Sequence, residues 1–416
     1  MIPQDLSIED FTYPLPADKI AHYPATQRDL SRLMIWDNEK ISLDTYNNIS
    51  RYLPDDSAII FNNTKVIPAR IIFQKNTGSN IEIFCLEPAD ISDYNVVMSS
   101  TKKVRWKCMV GGSSKWKEPS LNKTIVLNGK EVVLSASVIE KKGDVFIIQF
   151  DWEPSDFSFS EIIDKAGEMP LPPYIKRKAD SNDTERYQTI FAKEKGSVAA
   201  PTAALHFTDN ILFSLKNKNI HIDQITLHVG AGTFKPVKSK KMNEHEMHEE
   251  WMEISLTNLQ FLLDHPDKKI TVVGTTSARA IESLYWMGVK VSNDPEIKQE
   301  QLSIKQWEVY EPYLSVSNIS KDNAIRSLQK WIEKNGSNKL IISTQIIIAP
   351  GYQFKMSNIL VTNFHQPQST LLLLVAAAIG KNWKKLYERA LEENFRFLSY
   401  GDGCLLHIKQ NEVEII

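Results

Sequence analysis

The sequence predicts an α/β core domain with an inserted, mainly antiparallel β-barrel domain. Helix-like and strand-like segments alternate after Asp209, which is typical of a largely parallel sheet covered by helices. Between about residues 70 and 150 the pattern changes to short β-rich segments separated by turn residues, as in a small barrel or sandwich. The length of 416 residues and the hydrophobic fraction of 42% allow more than one domain.

These observations give a predicted division of the chain. The α/β core consists of residues 1–68 and 151–416, and the β-barrel domain of residues 69–150. Within the core, residues 285–343 are predicted to be an insertion, because residues 290–338 are polar and irregular in pattern.

The individual elements follow from apolar patterns and turn signals. The first core strand is residues 58–61, and Pro68 ends the segment that follows it. Asn128-Gly129 between two apolar segments is a strong hairpin signal. Predicted strands of the barrel are residues 81–86, 124–127, 132–138 and 145–150. Predicted core elements are helices 159–165, 210–216, 258–264 and 277–287, and strands 220–229 and 269–273.

Composition restricts the classes of function. The 49 basic and 51 acidic residues nearly balance, so bulk charge indicates no nucleic-acid partner. Basic residues are nevertheless clustered and interleaved with tryptophan at 102–107, 115–117 and 381–385, a pattern that suits a phosphate backbone with exposed bases. Three dispersed cysteines argue against a disulfide framework. The N-terminus has no evident signal peptide, and the longest apolar run, 371–379, cannot span a bilayer, so we expect a cytoplasmic protein.

Four of the nine histidines occur within a short part of the chain, beside small or turn-forming residues. They are His206, His228, His245 and His248. Histidine changes its protonation state most easily near neutral pH, which makes this region a candidate active site. The pair His245 and His248 is spaced by three residues rather than the four of a zinc-protease motif, and no cysteine completes a metal shell, so we predict no metal.

Three strand-to-loop junctions are candidate ligand sites. Gly230-Ala231-Gly232-Thr233 follows a strand but lacks the third glycine of a dinucleotide fingerprint. Residues 273–279 form a second junction, whose N–H groups and hydroxyls suit a carboxylate or phosphate; alternatively, Thr276 or Ser277 merely caps the helix. In the third junction, Ser369 or Thr370 is expected to cap a helix, which leaves Asn363 and His365 to face a site.

Several sequence blocks together match one family. They are 61–70, 170–175, 186–189, 196–203, the His228 loop, the His245 segment, 274–277, 350–354, 362–365 and 395–402. By these blocks the chain resembles the S-adenosylmethionine:tRNA ribosyltransferase-isomerases of the queuosine pathway. The resemblance implies transfer of the ribosyl part of S-adenosylmethionine to a 7-aminomethyl-7-deazaguanine base at the tRNA wobble position. Epoxyqueuosine, adenine and methionine are then the products. It also implies an α/β domain with an inserted β-barrel.

The resemblance suggests roles for matching residues. His228 or His248, together with Glu250, is the candidate for proton transfer, and Arg396 and Asp402 are candidates for holding the ribose or the base. The loops at Gly230 and Thr275 are candidates for binding methionine or the nucleoside. The full set of predicted substrate-binding residues is Arg186, Thr202, His206, Gly230, Gly232, Thr233, Thr275, Thr276, Asn363, His365, Arg396, Tyr400 and Asp402.

S-adenosylmethionine is expected as a consumed substrate and not as a cofactor, and the expected partner is the tRNA anticodon stem-loop, bound by a monomer. Two other classes of function stay open at this point. A tRNA-binding protein could have kept the fold and lost the enzyme, or the histidines could serve a metal-dependent hydrolase.

Overall fold

A computed structural model describes residues 3–90, 93–230, 237 and 239–409. Two large sheets organise these residues. The strands are β1 (Arg32–Asp37), β2 (Lys40–Thr45), β3 (Ala58–Asn62), β4 (Thr64–Val66), β5 (Arg70–Gln74), β6 (Asn80–Pro88), β7 (Lys103–Gly111), β8 (Leu121–Leu127), β9 (Lys130–Lys142), β10 (Val145–Glu153), β11 (Gly167–Glu168), β12 (Glu194–Ser197), β13 (His221–His228), β14 (Glu250–Ser255), β15 (Ile270–Val273), β16 (Lys339–Thr344), β17 (Ile359–Asn363) and β18 (Gly403–His407).

Helices cover the sheets and fill the connections between strands. They are α1 (Tyr94–Ser99), α2 (Phe159–Ala166), α3 (Asp183–Arg186), α4 (Asp209–Asn217), α5 (Leu256–Asp264), α6 (Thr275–Asn293), α7 (Gln299–Leu302), α8 (Pro312–Ser315), α9 (Lys321–Lys334), α10 (Thr370–Ile379) and α11 (Asn382–Glu392). Ser369 caps α10 by accepting a hydrogen bond from the main-chain N–H of Leu372, as its position before the apolar segment predicts.

The larger sheet has nine strands in the order β16-β14-β13-β3-β15-β17-β18-β1-β2. Its centre, β13-β3-β15-β17, is parallel, and β1 is parallel to β18. The remaining neighbours, including β17 with β18, are antiparallel. The prediction of a largely parallel sheet is therefore wrong for the whole sheet, because it described only the alternating middle of the chain. The sheet is mixed.

The second sheet has seven strands in the order β11-β5-β6-β7-β10-β9-β8, and every neighbouring pair is antiparallel. It curls into a half-barrel around its own apolar core. The Asn128-Gly129 hairpin is confirmed: it joins β8 to β9, and both residues have the positive φ, 50° and 78°, that this two-residue turn requires.

An α/β arrangement with a mainly antiparallel, barrel-like second sheet is thus present. The core of the half-barrel continues past β10 into α2, whose Phe159, Ile162 and Ile163 are buried in it. The division of the chain into a core domain and an inserted domain stays a prediction.

Residues 290–338 are more regular than their polar sequence predicted. They contain the end of α6 and helices α7, α8 and α9, and Leu328, Trp331 and Ile332 of α9 join the main apolar core. Helices α6 and α9 pack so closely that a Cβ atom at Gly288 would lie 2.1 Å from the main-chain oxygen of Ala324. The expectation of an irregular segment is wrong here, because an amphipathic helix with one apolar stripe has a largely polar composition.

Candidate active site

A cleft opens where the parallel strands β13, β15 and β17 end. Ligands of α/β proteins bind at this edge of the sheet, because loops from several strands converge there. Five predicted substrate-binding residues line the cleft, namely Thr202, Thr275, Thr276, Asn363 and His365. Other lining residues include Tyr174, Ala199, Val229, Gly274, Ser277, Gln366 and Ser399.

The N-terminus of α6 forms one wall of the cleft. The helix begins at Thr275, and Gly274 occupies the cap position with φ 96° and no side-chain capping bond. Neither Thr276 nor Ser277 is the cap, so that alternative is wrong. Because no side chain accepts from the first-turn N–H groups, they and the positive end of the helix dipole remain available to an anionic group in the cleft.

Asn363 and His365 also line the cleft, directly after β17. The Asn363 side-chain oxygen accepts a 2.8 Å hydrogen bond from the Thr202 hydroxyl, which orients the amide. The His365 Nε2 lies 2.8 Å from the Thr362 hydroxyl, and its main-chain N–H donates to the Tyr387 hydroxyl. Burial lowers the pKa of His365 to about 3, so this imidazole is neutral at physiological pH.

A smaller depression adjoins the cleft, and Ser399 lines both. Arg186, His206 and Tyr400 line it, together with Arg28. His206 is 4% exposed and stacks on Tyr46 with ring centres 4.2 Å apart. Burial lowers the pKa of His206 to about 3. The Tyr400 hydroxyl donates to Asp183, so it is anchored in the fold.

Asp402 stabilises the loop around Arg396. Its carboxylate accepts hydrogen bonds from the main-chain N–H of Arg32 at 3.0 Å and of Arg396 at 2.8 Å, and the Arg396 guanidinium lies 3.5 Å away. Asp402 is buried and, within the described part of the chain, is not among the residues that line the cleft. Asp402 therefore positions this loop, and its role in holding the ribose or the base stays a prediction.

His228 lies at the end of β13, one residue before Val229 of the cleft lining. Its ring stacks on Tyr94 of α1 with centres 3.8 Å apart and planes within 5°. Gly196 is packed against both rings: a Cβ atom there would lie 2.4 Å from Tyr94 and 2.8 Å from the His228 Nδ1. That nitrogen has no hydrogen-bond partner among the described residues, and burial lowers the pKa of His228 to about 3.

Glu250, the first residue of β14, does not meet His228. Its carboxylate forms a buried 2.7 Å ion pair with Arg279 of α6, which also donates to the main-chain oxygen of Ile346. His228 is paired with Trp251 in the β13–β14 ladder, so Glu250 points to the other face of the sheet. His228 and Glu250 are therefore not in direct contact, and their role in proton transfer stays a prediction. Burial raises the pKa of Glu250, and Arg279 opposes that shift.

The structure also describes two other predicted residues, His248 and Gly230. His248 is exposed, and residues 245–249 form no helix, so the three-residue spacing does not place His245 and His248 on one helix face. Gly230 follows Val229 at the cleft. Gly232 and Thr233 lie outside the described residues.

Several residues of the site were not among the predicted ones. Tyr174 and Ser399 line the cleft, with their hydroxyl oxygens 2.6 Å apart, and Ser277 lines it beside Thr276. All three occur in sequence blocks that carry the family resemblance, so their place in those blocks could have identified them as site residues. Tyr94 and Arg279 gave no such signal, since their contacts arise from packing between elements distant in the chain.

Replacing Tyr94 with leucine is expected to weaken folding by about 1 kcal/mol, the usual value of an aromatic pair beyond area burial. The pKa of His228 should also rise towards the ordinary value of histidine, because its imidazole ring loses the tyrosine ring that covers one of its faces. Urea denaturation and NMR titration of carbon-13-labelled histidine measure the two effects. The control is Tyr94→Phe, which keeps the stack; equal pKa values of His228 in both variants would contradict the prediction.

Among the residues that the structure describes, no group of three or more histidine, cysteine, aspartate or glutamate side chains is arranged to hold a metal ion. In the same part of the chain, none of the helices has the length and apolar character needed to cross a membrane.

The fold is that of an α/β protein with a cleft, the candidate ligand site, at the ends of its parallel strands. Comparison with known families matches residues 8–406 to the model of the family described as queuosine biosynthesis protein.

Relatives with specific names cover nearly the whole chain. A relative from Aquifex aeolicus is 35% identical over 406 residues, which is 96% of this chain and 100% of that protein. One from Halothermothrix orenii is 34% identical, with coverage of 96% and 100%. Both are named S-adenosylmethionine:tRNA ribosyltransferase-isomerase. A solved structure of S-adenosylmethionine tRNA ribosyltransferase from Thermotoga maritima is 25% identical, covering 95% and 99%, with a TM-score of 0.44.

The chain belongs to the S-adenosylmethionine:tRNA ribosyltransferase-isomerase family of queuosine biosynthesis proteins, and it is an enzyme.

Proposed function

We propose that this enzyme transfers and isomerises the ribosyl moiety of S-adenosylmethionine onto the 7-aminomethyl-7-deazaguanine base at the wobble position of a tRNA. The products are epoxyqueuosine in the tRNA, adenine and methionine. The observation that carries the proposal is the family match across residues 8–406. The cleft alone would suit many small polar ligands, so its chemistry is supporting evidence.

The cleft contains groups that complement S-adenosylmethionine. The uncapped first turn of α6 at Thr275 and Thr276 suits the methionine carboxylate. Asn363 and Thr202 are tied together by a hydrogen bond and present polar atoms to a ribose or a base. S-adenosylmethionine is consumed in this scheme, so we propose no separate cofactor.

The reaction needs proton transfers and no redox step. The sulfonium acidifies the neighbouring C5′–H, the aminomethyl group must lose a proton before it attacks, and the departing adenine needs a proton or a hydrogen bond. Neutral imidazoles can accept such protons or hydrogen bonds. His365 lies in the cleft wall and His228 lies one residue from it, and both have a pKa lowered to about 3. A pKa near 3 makes these imidazoles weak bases at neutral pH, so we assign hydrogen bonding with the substrate to this pair. We also propose a monomer that acts on the tRNA anticodon stem-loop in the cytoplasm.

The test is mass spectrometry of tRNA that carries the aminomethyl base, after incubation with the enzyme and S-adenosylmethionine. We expect the epoxyqueuosine nucleoside in the tRNA and equal amounts of free adenine and methionine. The control omits S-adenosylmethionine. Release of adenine without a change in the tRNA would mean hydrolysis of S-adenosylmethionine and would refute the transfer.

The candidate acid–base residues are separated by single substitutions assayed at saturating substrates. His228→Gln, His248→Gln and Glu250→Gln each remove one titrating group. If all three variants keep nearly the parental kcat, none of these side chains handles the protons. Thermal denaturation of Glu250→Gln is measured alongside, because that change also weakens the buried pair with Arg279.

A further inference from the structure

Two arginines beside the cleft have positive charges that no carboxylate pairs. In the small depression, Arg28 donates to the main-chain oxygens of Gln188 at 2.7 Å, Leu205 at 3.1 Å and Glu185 at 2.8 Å. Arg186 donates to the main-chain oxygens of Ala25 at 2.5 Å and Thr26 at 3.2 Å. Neither forms an ion pair with any residue that the structure describes, whereas neighbouring Arg177 and Arg396 each do. Carbonyl groups hold the two guanidinium groups in place without neutralising them.

The surrounding charges leave an excess of positive charge. The pKa of Arg28 is lowered by burial and by Arg186, and Glu185 opposes this only in part. Asp183 is occupied by Arg177 and by the Tyr400 hydroxyl. A pair of confined, unneutralised guanidinium groups is a characteristic binding site for an oxyanion.

The depression also has polar atoms that lack partners. The Nε of Arg186 and the Nε2 of His206 are buried without a hydrogen-bond partner among the described residues. The unpartnered nitrogen is Nε2, so the hydrogen bond between His206 and the Arg28 main chain, which opposes the lowering of the His206 pKa by burial, is made by Nδ1. A main-chain carbonyl accepts, so Nδ1 carries the proton. Nε2 is then an acceptor. The depression therefore offers donors for an anion and one acceptor for a hydroxyl.

We infer that this depression binds a phosphodiester of the tRNA strand beside the modified nucleoside, with the adjoining ribose 2′-hydroxyl donating to His206. The inference rests on the proposed function and adds a subsite to it. RNA supplies both a phosphate and a 2′-hydroxyl within one nucleotide, which matches this set of donors and acceptor. Ser399, which lines both cavities, places the depression directly beside the cleft, as a flanking nucleotide requires. The methionine carboxylate has its own complementary site at α6.

The test measures binding of the tRNA substrate to the full chain at several salt concentrations. Each phosphate contact contributes a slope of about 0.7 to log Kd against log salt for single-stranded RNA. We expect the double variant Arg28→Gln/Arg186→Gln to reduce the slope by about that amount and to weaken binding roughly tenfold at low salt, and each single variant to lose part of both. Arg186→Lys keeps the charge and should keep the slope. The matched control is Arg326→Gln on the exposed face of α9, which should leave binding unchanged.

Three results would overturn the inference. The first is a parental slope in both glutamine variants. The second is a weakened affinity for S-adenosylmethionine, measured by calorimetry, with an unchanged RNA slope, since the depression would then hold the methionine carboxylate. The third is equal loss of slope and of thermal stability in Arg186→Lys and Arg186→Gln, which would mean that the arginine only tethers residues 25–26. If the parental protein binds no tRNA at all, the proposed function itself fails.

Discussion

Acidification from pH 7 to pH 5 is expected to lower the free energy of unfolding by about 2 kcal/mol for each of three buried histidines. They are His206, His228 and His365, whose pKa burial lowers to about 3. In the unfolded chain a histidine has a pKa near 6.5. Between these two values the unfolded state binds protons that the folded state does not. The stability that the three neutral histidines contribute is complete above about pH 6.5 and is lost progressively as the pH falls towards 3.

Urea denaturation at pH 7, 6 and 5 measures this effect. His206→Phe keeps an aromatic ring against Tyr46 and removes one titrating group, so its stability should fall less on acidification than that of the parent. The two proteins differ in their free energy of unfolding at pH 5 and at pH 7. Subtracting the difference at pH 7 from that at pH 5 gives the contribution of His206 to the pH dependence. Identical pH dependence in parent and variant would show that this imidazole is not held neutral by the fold.

Replacing Glu282 with leucine is expected to destabilise the protein by about 3–5 kcal/mol, because several buried donors lose their acceptor at once. Glu282 lies within α6 and has no exposed surface. It accepts hydrogen bonds from the Tyr352 hydroxyl at 2.8 Å and from the main-chain N–H groups of Lys355, Met356 and Ser357 at 2.8, 3.1 and 2.8 Å. The donors occupy one loop, so the carboxylate fixes the path of that loop.

The free energy of unfolding in urea measures the loss. The matched control is Glu333→Leu on the exposed side of α9, where a change within about 0.5 kcal/mol is expected. A Glu282→Leu variant as stable as this control would mean that the loop finds other partners. The loss of stability in Glu282→Gln should lie between the losses in the two leucine variants. The glutamine amide can still accept hydrogen bonds, but its NH₂ group is a further donor facing the existing donors.

Local signals predicted local structure well. Asn128-Gly129 specified its hairpin and Ser369 its helix cap, since both depend on a few neighbouring residues. Strand–loop–helix patterns at residues 273–279 and 361–370 placed Thr275 and Asn363 at the cleft, because parallel strands end on the same edge.

Contacts between distant segments were not predictable in this way. The antiparallel pairing of β17 with β18 made the sheet mixed, and no pattern near either strand indicates its neighbour. Whether His228 and Glu250 share a face depends on the register of β13 with β14, and a shift by one residue reverses the answer. The stack of His228 on Tyr94 requires α1 and β13 to meet, which only the assembled fold determines.

The pairing of β1 with β18 has a consequence for synthesis of the chain on the ribosome. β1 and β2 form a hairpin at the edge of the large sheet, and β18 lies between that hairpin and β17. The hairpin is translated early, whereas β18 emerges near the end of translation, after a delay on the order of tens of seconds at ordinary elongation rates. During this interval one side of β1 has no strand to pair with, so the nascent hairpin exposes an unpaired strand edge for most of the time that the chain is being translated.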